Sequence, residues 1–295
     1  MLYPAELPGE PADPLAHRSA PHSPTARVHT RSVQWRVLLP LIGLSFLTPA
    51  GGAVAECPQR PSETVHANRV TPEGNLLLSD GRVVHLAGAV LDGPNATDAL
   101  QALVTGQPLR LTRLDEPPDR WGRMLGSVEV SESGAWTSAA GILLARGLGH
   151  AAAQSERVCL APLLAAEAGA RQRRLGVWGD PDYVLSAADK PVLLGRLGDH
   201  VVAAGRVRSA RLSGTRIYLN FSRRWRDGLT VILHQDELAA LGIGDVSALP
   251  GLEGRFLRVR GFLDWRYGGP VILHRNGEPI ERIPARERHA RGNAR

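Results

Sequence analysis

The chain has little lysine, cysteine or methionine, and it lacks the common catalytic signatures. Lys190 is the one lysine beside 34 arginines (35 Lys+Arg in all). An arginine excess of this kind also follows from genomic base composition, so it does not by itself announce phosphate recognition. Two cysteines, Cys57 and Cys159, with no His pair nearby at finger spacing, make a poor zinc site. No phosphate-binding Gly-Lys loop, Gly-x-Ser-x-Gly elbow, metalloprotease His-Glu pair or dinucleotide fingerprint occurs, so no motif supports those chemistries. The longest apolar run, Val37 to Leu47, falls short of the roughly 20 residues that a spanning helix needs.

What remains suits a globular protein. The 295 residues leave room for about two domains at roughly 100–200 each. An apolar share of 43% can build a core. The net charge of +6 is unevenly spread. Residues 56–196 hold 14 Lys+Arg against 16 Asp+Glu, whereas residues 197–283 hold 13 against 9. Positive charge therefore belongs to the second half and to the Arg-rich tail, 284–295, which reads as a disordered basic segment.

Residues 1–55 read as a leader rather than as fold. Arg31 and Arg36 precede the apolar run, and small residues end at Ala53-Val54-Ala55, the order of a secretory signal with cleavage after Ala55. The expectation is export to the periplasm or medium with no stable membrane insertion. An uncleaved N-terminal anchor is the alternative. Glu56, directly before Cys57, argues against a lipidated cysteine. In an oxidising compartment Cys57 and Cys159 are expected to pair, with two separate buried thiols as the alternative. The bridge would close a loop worth roughly 4–5 kcal/mol in the chain-entropy model.

Short alternating segments dominate the mature chain. Thr64–Val70, Asn75–Leu78, Val83–Gly88, Gln107–Leu114 and Met124–Val130 read as strands, with Ser79-Asp80-Gly81-Arg82 as a hairpin turn. Ala96–Val104, Thr137–Arg146 and Cys159–Arg174 read as helices. A second set, Val201–Ala210, Arg216–Phe221, Leu229–Leu233, Arg255–Phe262 and Val271–His274, has one short helix, Gln235–Leu241, between its third and fourth strands. The expected fold is mainly β with α: two OB-fold-type five-stranded β-barrels with short helices, over 56–196 and 197–283.

Five pieces in order suggest a family: Asp80-Gly81-Arg82, Val84-His85-Leu86-Ala87-Gly88, Asp119-Arg120-Trp121-Gly122-Arg123, Leu144-Ala145-Arg146-Gly147-Leu148 and Leu175-Gly176-Val177-Trp178. Together with Leu164–Arg171 they make residues 64–180 resemble the thermonuclease (staphylococcal nuclease-like) family. The C-terminal unit looks like the OB-like extension of some bacterial members. The resemblance implies a calcium site of clustered oxygens, a carboxylate base and two arginines that offset charge on a phosphodiester under attack. This chain departs from that set. Pro72-Glu73-Gly74-Asn75 stands where the family shows Asp-Gly-Asp-Thr. His85 stands at the first catalytic Arg, and a neutral His cannot fork two hydrogen bonds to a phosphate. Asp92 is the nearest carboxylate to the base, one position out of frame. Arg123 is retained as the second Arg. Because catalytic groups act as a unit, these departures predict a degenerate member.

Binding residues are expected elsewhere. Arg223, Arg224, Trp225 and Arg226 join an aromatic to three cations, and Arg260, Trp265, Arg266 and Tyr267 form a second such group. OB surfaces hold single strands by stacking on aromatics above a positive groove. The leading expectation is an exported nucleic-acid- or polyanion-binding protein with nuclease activity lost or much reduced, no cofactor and no metal site. One alternative is an active calcium-dependent phosphodiesterase using Glu73, Asp92 and Arg123. The other is an envelope protein-interaction module.

Overall fold

The computed structural model describes residues 57–284 apart from 59, 115, 116 and 276. The leader assigned to 1–55 and the tail after 284 lie outside the described residues. The first ring is made of β1 (Glu63–Val65), β2 (Ala67–Val70), β3 (Asn75–Leu78), β4 (Val83–Leu86), β6 (Leu109–Arg113) and β7 (Arg123–Glu132). Between them β5 (Ala89–Leu91) leaves the ring, and α1 (Ala96–Val104) leads the chain to β6. The sheet order is β1-β6-β7-β4-β3-β2, with β8 (Ala135–Ser138) added to β7. β1 and β2 are separated only by His66, so both ends of the sheet belong to one interrupted strand and the ring closes. A helix between the third and fourth strands and a parallel β4–β7 pairing complete the OB arrangement.

Period-two patterning explains the ring. Along β7, Met124, Gly126, Val128 and Val130 turn inward, and Arg123, Leu125, Ser127 and Glu129 turn outward. Gly126 is required by crowding: a Cβ there would lie 2.5 Å from Leu111 and 2.9 Å from Val84 side-chain carbons. Leu76, Val84, Leu100, Leu109, Leu111 and Leu143 fill the interior. The expected helix 96–104 is present with those bounds, although the Asn95 side chain makes no cap bond. The predicted helix 137–146 is shorter, because Ala135–Ser138 pairs with β7 first. Ser138 Oγ then caps α2 (Ala139–Ala145) by accepting from Gly141 N at 3.2 Å. β9 (Gly149–Ala151) pairs with β5, and α3 (Leu160–Gln172) packs on α2. Cys57 and Cys159 form a disulfide, Cα–Cα 5.7 Å, tying residue 57 to the N-cap of α3.

The chain enters the second core at β10 (Leu185–Ser186) and α4 (Lys190–Leu194), ahead of the charge shift near 197. It continues through β11 (His200–Arg206), β12 (Ser209–Ser213), β13 (Arg216–Asn220), β14 (Thr230–His234), β15 (Phe256–Arg266), β16 (Gly269–Leu273) and β17 (Glu281–Arg282). The order β10-β11-β15-β16-β14-β13-β12, with a parallel β14–β16 pair, repeats the OB scheme. The expected single strand 201–210 is divided into β11 and β12 at Val207-Arg208. A 3-10 turn, Gln235–Leu241, stands where the short helix was expected.

β15 is where the barrels meet. Leu257, Val259 and Leu263 enter the second core. Arg258 and Arg260, on the opposite face, are also buried. Arg260 sends Nη1 to Glu167 Oε2 at 2.6 Å and to the Ala151 carbonyl at 3.0 Å, and Nη2 to Glu167 Oε1 at 2.9 Å and Glu281 Oε2 at 2.7 Å. Glu167 lies on α3, so this cluster joins the first barrel to the second.

Candidate nucleic-acid interface

The first barrel's outer face holds the residues aligned with a hydrolytic centre. Asn75 pairs with His85 across β3 and β4, and Val83 pairs with Arg123 across β4 and β7. His85 and Arg123 therefore share a face. Asn75 Oδ1 is 2.9 Å from His85 Nδ1, and Asn75 Nδ2 donates to Thr71 Oγ1 at 3.4 Å. Burial, then the charge of Arg123, hold His85 below the ordinary imidazole range, so it is neutral at pH 7. Glu73 sits exposed in the turn before β3. A hydrogen bond with Thr71, then one from its own backbone and the charges of Arg123 and Arg69, lower its pKa.

Arg123 is not free. Its Nε and Nη2 both reach Asp119 Oδ2 at 2.8 Å, while Asp119 Oδ1 accepts from the backbone of Trp121 and Arg123 at 2.9 Å each. The guanidinium carbons of Arg120 and Arg123 lie 3.8 and 4.7 Å from the centroid of Trp121, whose ring is 62% exposed. Asp92 turns to its neighbour, accepting from Gly93 N at 2.7 Å.

A calcium ion of the kind the resemblance implies does not fit these side chains. Asn75 spends both amide atoms on His85 and Thr71, Asp92 is bonded to its own loop, and Glu73 stands alone. Among the described residues no group of three or more His, Cys, Asp or Glu is placed to hold a metal. Calcium wants six to eight oxygens.

The second barrel offers a better-formed surface. A groove of about 340 Å³ runs over β12, β13 and β14 and is closed by two loops. Arg211, Tyr218, Asn220 and Ile232 line its strand side, with Trp225 and Tyr267 at its loop side. Thr230 Oγ1 donates to Asn220 Oδ1 at 2.9 Å, and Asn220 Nδ2 donates to Ser209 Oγ at 2.9 Å, which fixes the floor. Tyr267, in the β15–β16 turn at φ 57°, is 60% exposed and receives Arg216 Nη1 on its hydroxyl at 3.4 Å. The Arg226 guanidinium lies 4.8 Å from the Trp225 ring centroid. Gly269 lets the Trp225 loop close: a Cβ there would be 3.2 Å from Arg226 Cα and 3.3 Å from the Trp225 carbonyl oxygen.

The expected binding residues therefore scatter. Trp225 and Tyr267 meet in the groove, with Arg226 beside them. Arg223 and Arg224 are exposed on the same loop. Trp265 stacks under Lys190, 5.3 Å from Nζ to centroid, and Arg266 pairs with Asp264 at 2.6 Å beside a different cavity. Arg260 cannot touch a polyanion, because it is 1% exposed and bound by Glu167 and Glu281. Arg211, Arg216 and Tyr218 were missed. Alternation along Arg216-Ile217-Tyr218-Leu219-Asn220 carries the signal, since Ile217 and Leu219 are core and their neighbours face out.

A buried hydrogen-bond chain was missed as well. Tyr183 OH lies 2.7 Å from His150 Nδ1, His150 Nε2 2.9 Å from His200 Nδ1, and His200 Nε2 2.9 Å from Glu278 Oε1. Burial, then the neighbouring His200, Arg260 and Arg196, push His150 well below its usual range.

Residues 92–180 match the SNase family, described as staphylococcal nuclease homologue. The match begins after Glu73 and His85 and includes Asp92 and Arg123. No curated protein matches the chain. Among solved structures, a murine DNA-binding protein bound with double-stranded DNA is 10% identical over 76% of this chain and all of its own, at TM-score 0.27. Schizosaccharomyces pombe Pot1pC bound to single-stranded DNA is 14% identical over 33% of this chain and 91% of its own, at TM-score 0.23. Asparaginyl-tRNA synthetase from Pyrococcus horikoshii is 18% identical over 33% of this chain, which spans 22% of that enzyme, at TM-score 0.22. Scores of this size carry no functional argument.

Proposed function

We propose that this chain is an exported nucleic-acid-binding protein whose staphylococcal-nuclease-like barrel has lost its hydrolytic centre, and that the second barrel's groove holds a single strand. The observation that carries this reading is the groove itself: Trp225, Tyr218 and Tyr267 offer π-faces, with Arg216 and Arg226 alongside and Arg211 at the edge, paired with Glu253 at 2.5 Å. Base stacking on such rings contributes about 1–3 kcal/mol per base, and arginine adds a salt-dependent backbone term. Loss of hydrolysis is supported by a neutral His85 where the family has its first arginine and by the misfit of the calcium set. The disulfide supports an oxidising compartment.

Anisotropy with a labelled single-stranded oligonucleotide tests the proposal. Trp225→Ala with Tyr267→Ala should weaken binding by about 10–100-fold, and rising salt should weaken the parent protein. Undiminished binding in that double variant would falsify the assignment of the groove. Plasmid and single-strand digestion with calcium should show no cleavage; cleavage lost in Arg123→Ala would instead establish the enzyme reading.

A further inference from the structure

The floor of the groove holds one side chain built to read a base. Asn220 ends β13 and pairs with Ser209 on β12 and with Thr230 on β14. Its amide is pinned across both neighbours: Nδ2 donates to Ser209 Oγ and Oδ1 accepts from Thr230 Oγ1, both at 2.9 Å. Thr230 is buried, whereas Asn220 is half-buried and lines the groove. Alternation along β13 sends Ile217 and Leu219 into the core and turns Tyr218 and Asn220 outward together. Two positions along a strand lie about 6.6 Å apart, so a base stacked on the Tyr218 ring presents its edge to Asn220.

A carboxamide offers two N–H donors and two lone pairs on its oxygen. The bonds to Ser209 and Thr230 leave the amide on either side, along the sheet, and take one position from each atom. The edge opposite Cβ remains: one N–H beside one lone pair, coplanar and aimed away from the strand into the groove. Both flanking hydroxyls donate and accept, so this edge carries one donor and one acceptor whichever way the amide is turned. Nucleobases differ in what they offer such an edge. Adenine sets a donor beside an acceptor on both of its open sides, N6–H with N7 and N6–H with N1. The N7 side of guanine presents two acceptors, the pattern that arginine reads, and asparagine is the residue that reads adenine. Cytosine and thymine offer one matching side each, on a smaller ring for stacking.

We propose that Asn220 gives the groove a base preference, and that its favoured ligand is a single strand with an adenine stacked on Tyr218 and hydrogen-bonded in two places to the Asn220 edge. This rests on the groove holding a single strand. Stacking alone tolerates any base. A pinned amide on the floor adds a contact that only a matching edge completes.

Anisotropy at one salt concentration tests the idea, with a labelled oligothymidylate of about six nucleotides whose central base is replaced in turn by adenine, cytosine, guanine or unsubstituted purine. One adenine should tighten binding about tenfold over thymine, within the range of a bidentate base contact. Unsubstituted purine keeps the stacking area and loses the N6 donor, so it should fall back to near the thymine level. Asn220→Asp keeps acceptors for both hydroxyls and turns the edge into two acceptors. Its charge weakens every strand, so the readout is the adenine-to-thymine ratio, which should drop to about one. A parent ratio below about twofold, a preference for another base, or an adenine preference that survives in Asn220→Asp or with unsubstituted purine overturns the proposal. Trp225→Ala with Tyr267→Ala separates the two ways of failing. If that variant loses binding to every oligonucleotide and the parent shows no base preference, the groove stands and the role of Asn220 falls. If its binding is undiminished, the groove and the role of Asn220 fall together.

Discussion

Replacing Arg260 by Met should be the most damaging single change between the barrels. The Arg260 and Glu167 side chains are both 0% exposed. Removal of the guanidinium deletes four hydrogen bonds: two to Glu167, one to Glu281 and one to the Ala151 carbonyl. Glu167 keeps Arg171, at 2.7 Å, and the Ala151 amide, at 2.8 Å. Stripping one partner from a buried ion pair typically costs 3–5 kcal/mol, because the other charge stays behind in low dielectric. The remaining arginine at Glu167 argues for the lower half of that range, about 3 kcal/mol. In a domain pair of this size each kcal/mol shifts the midpoint by about 2–4 °C, so Tm should fall by roughly 6–12 °C. The double variant Arg260→Met with Glu167→Leu removes the stranded carboxylate but leaves the buried Ala151 amide without its acceptor, so it should recover only part of this loss. A double-mutant cycle by urea denaturation measures both. An Arg260→Met destabilisation below about 1 kcal/mol, or strict additivity in the cycle, refutes the reasoning.

Two further outcomes follow from the buried groups. His150 has a depressed folded-state pKa, so below its unfolded value near 6.5 the unfolded chain takes a proton that the native state refuses. Stability should therefore fall as pH drops from 7 to 5 and rise again with pH. Tyr183, His200, Arg260 and Arg196 face this imidazole, and none supplies an adjacent carboxylate to hold its proton; Glu278 is one imidazole away. Urea midpoints for the parent and His150→Gln check this, and a slope unchanged in the variant would remove His150 as the cause. Reducing the Cys57–Cys159 bridge, with a sequence separation of 102, should cost up to about 4–5 kcal/mol in the chain-entropy model. Melting with and without reductant measures it, and an unchanged Tm would show that residue 57 constrains nothing.

Much of the barrel was legible because period-two patterning is local. Leu76, Val84, Leu109, Leu111 and Val128 announce inward faces, and Asp80-Gly81-Arg82 announces a turn that Asp80 then holds by accepting from Arg82 N at 3.0 Å. What patterning cannot report is which second surface covers an outward face. Arg260 reads as a solvent-facing cation on β15, yet Glu167 of the other barrel lies over it. The Tyr183–His150–His200–Glu278 chain was invisible for the same reason, since its links span 33, 50 and 78 residues. The hydrolytic centre was readable only as departures from a family pattern. That Asp119 holds Arg123 is a property of the folded turn.

The polar contacts on β15 and its flanking loop also bear on ancestry. A lineage that exchanged either barrel for a foreign one would leave Glu167 or Arg260 stranded in oil-like surroundings, with no water to soothe the charge. Recombination between the halves is thus penalised at once, and the two barrels should descend together, their seam drifting by paired replacements rather than by shuffling.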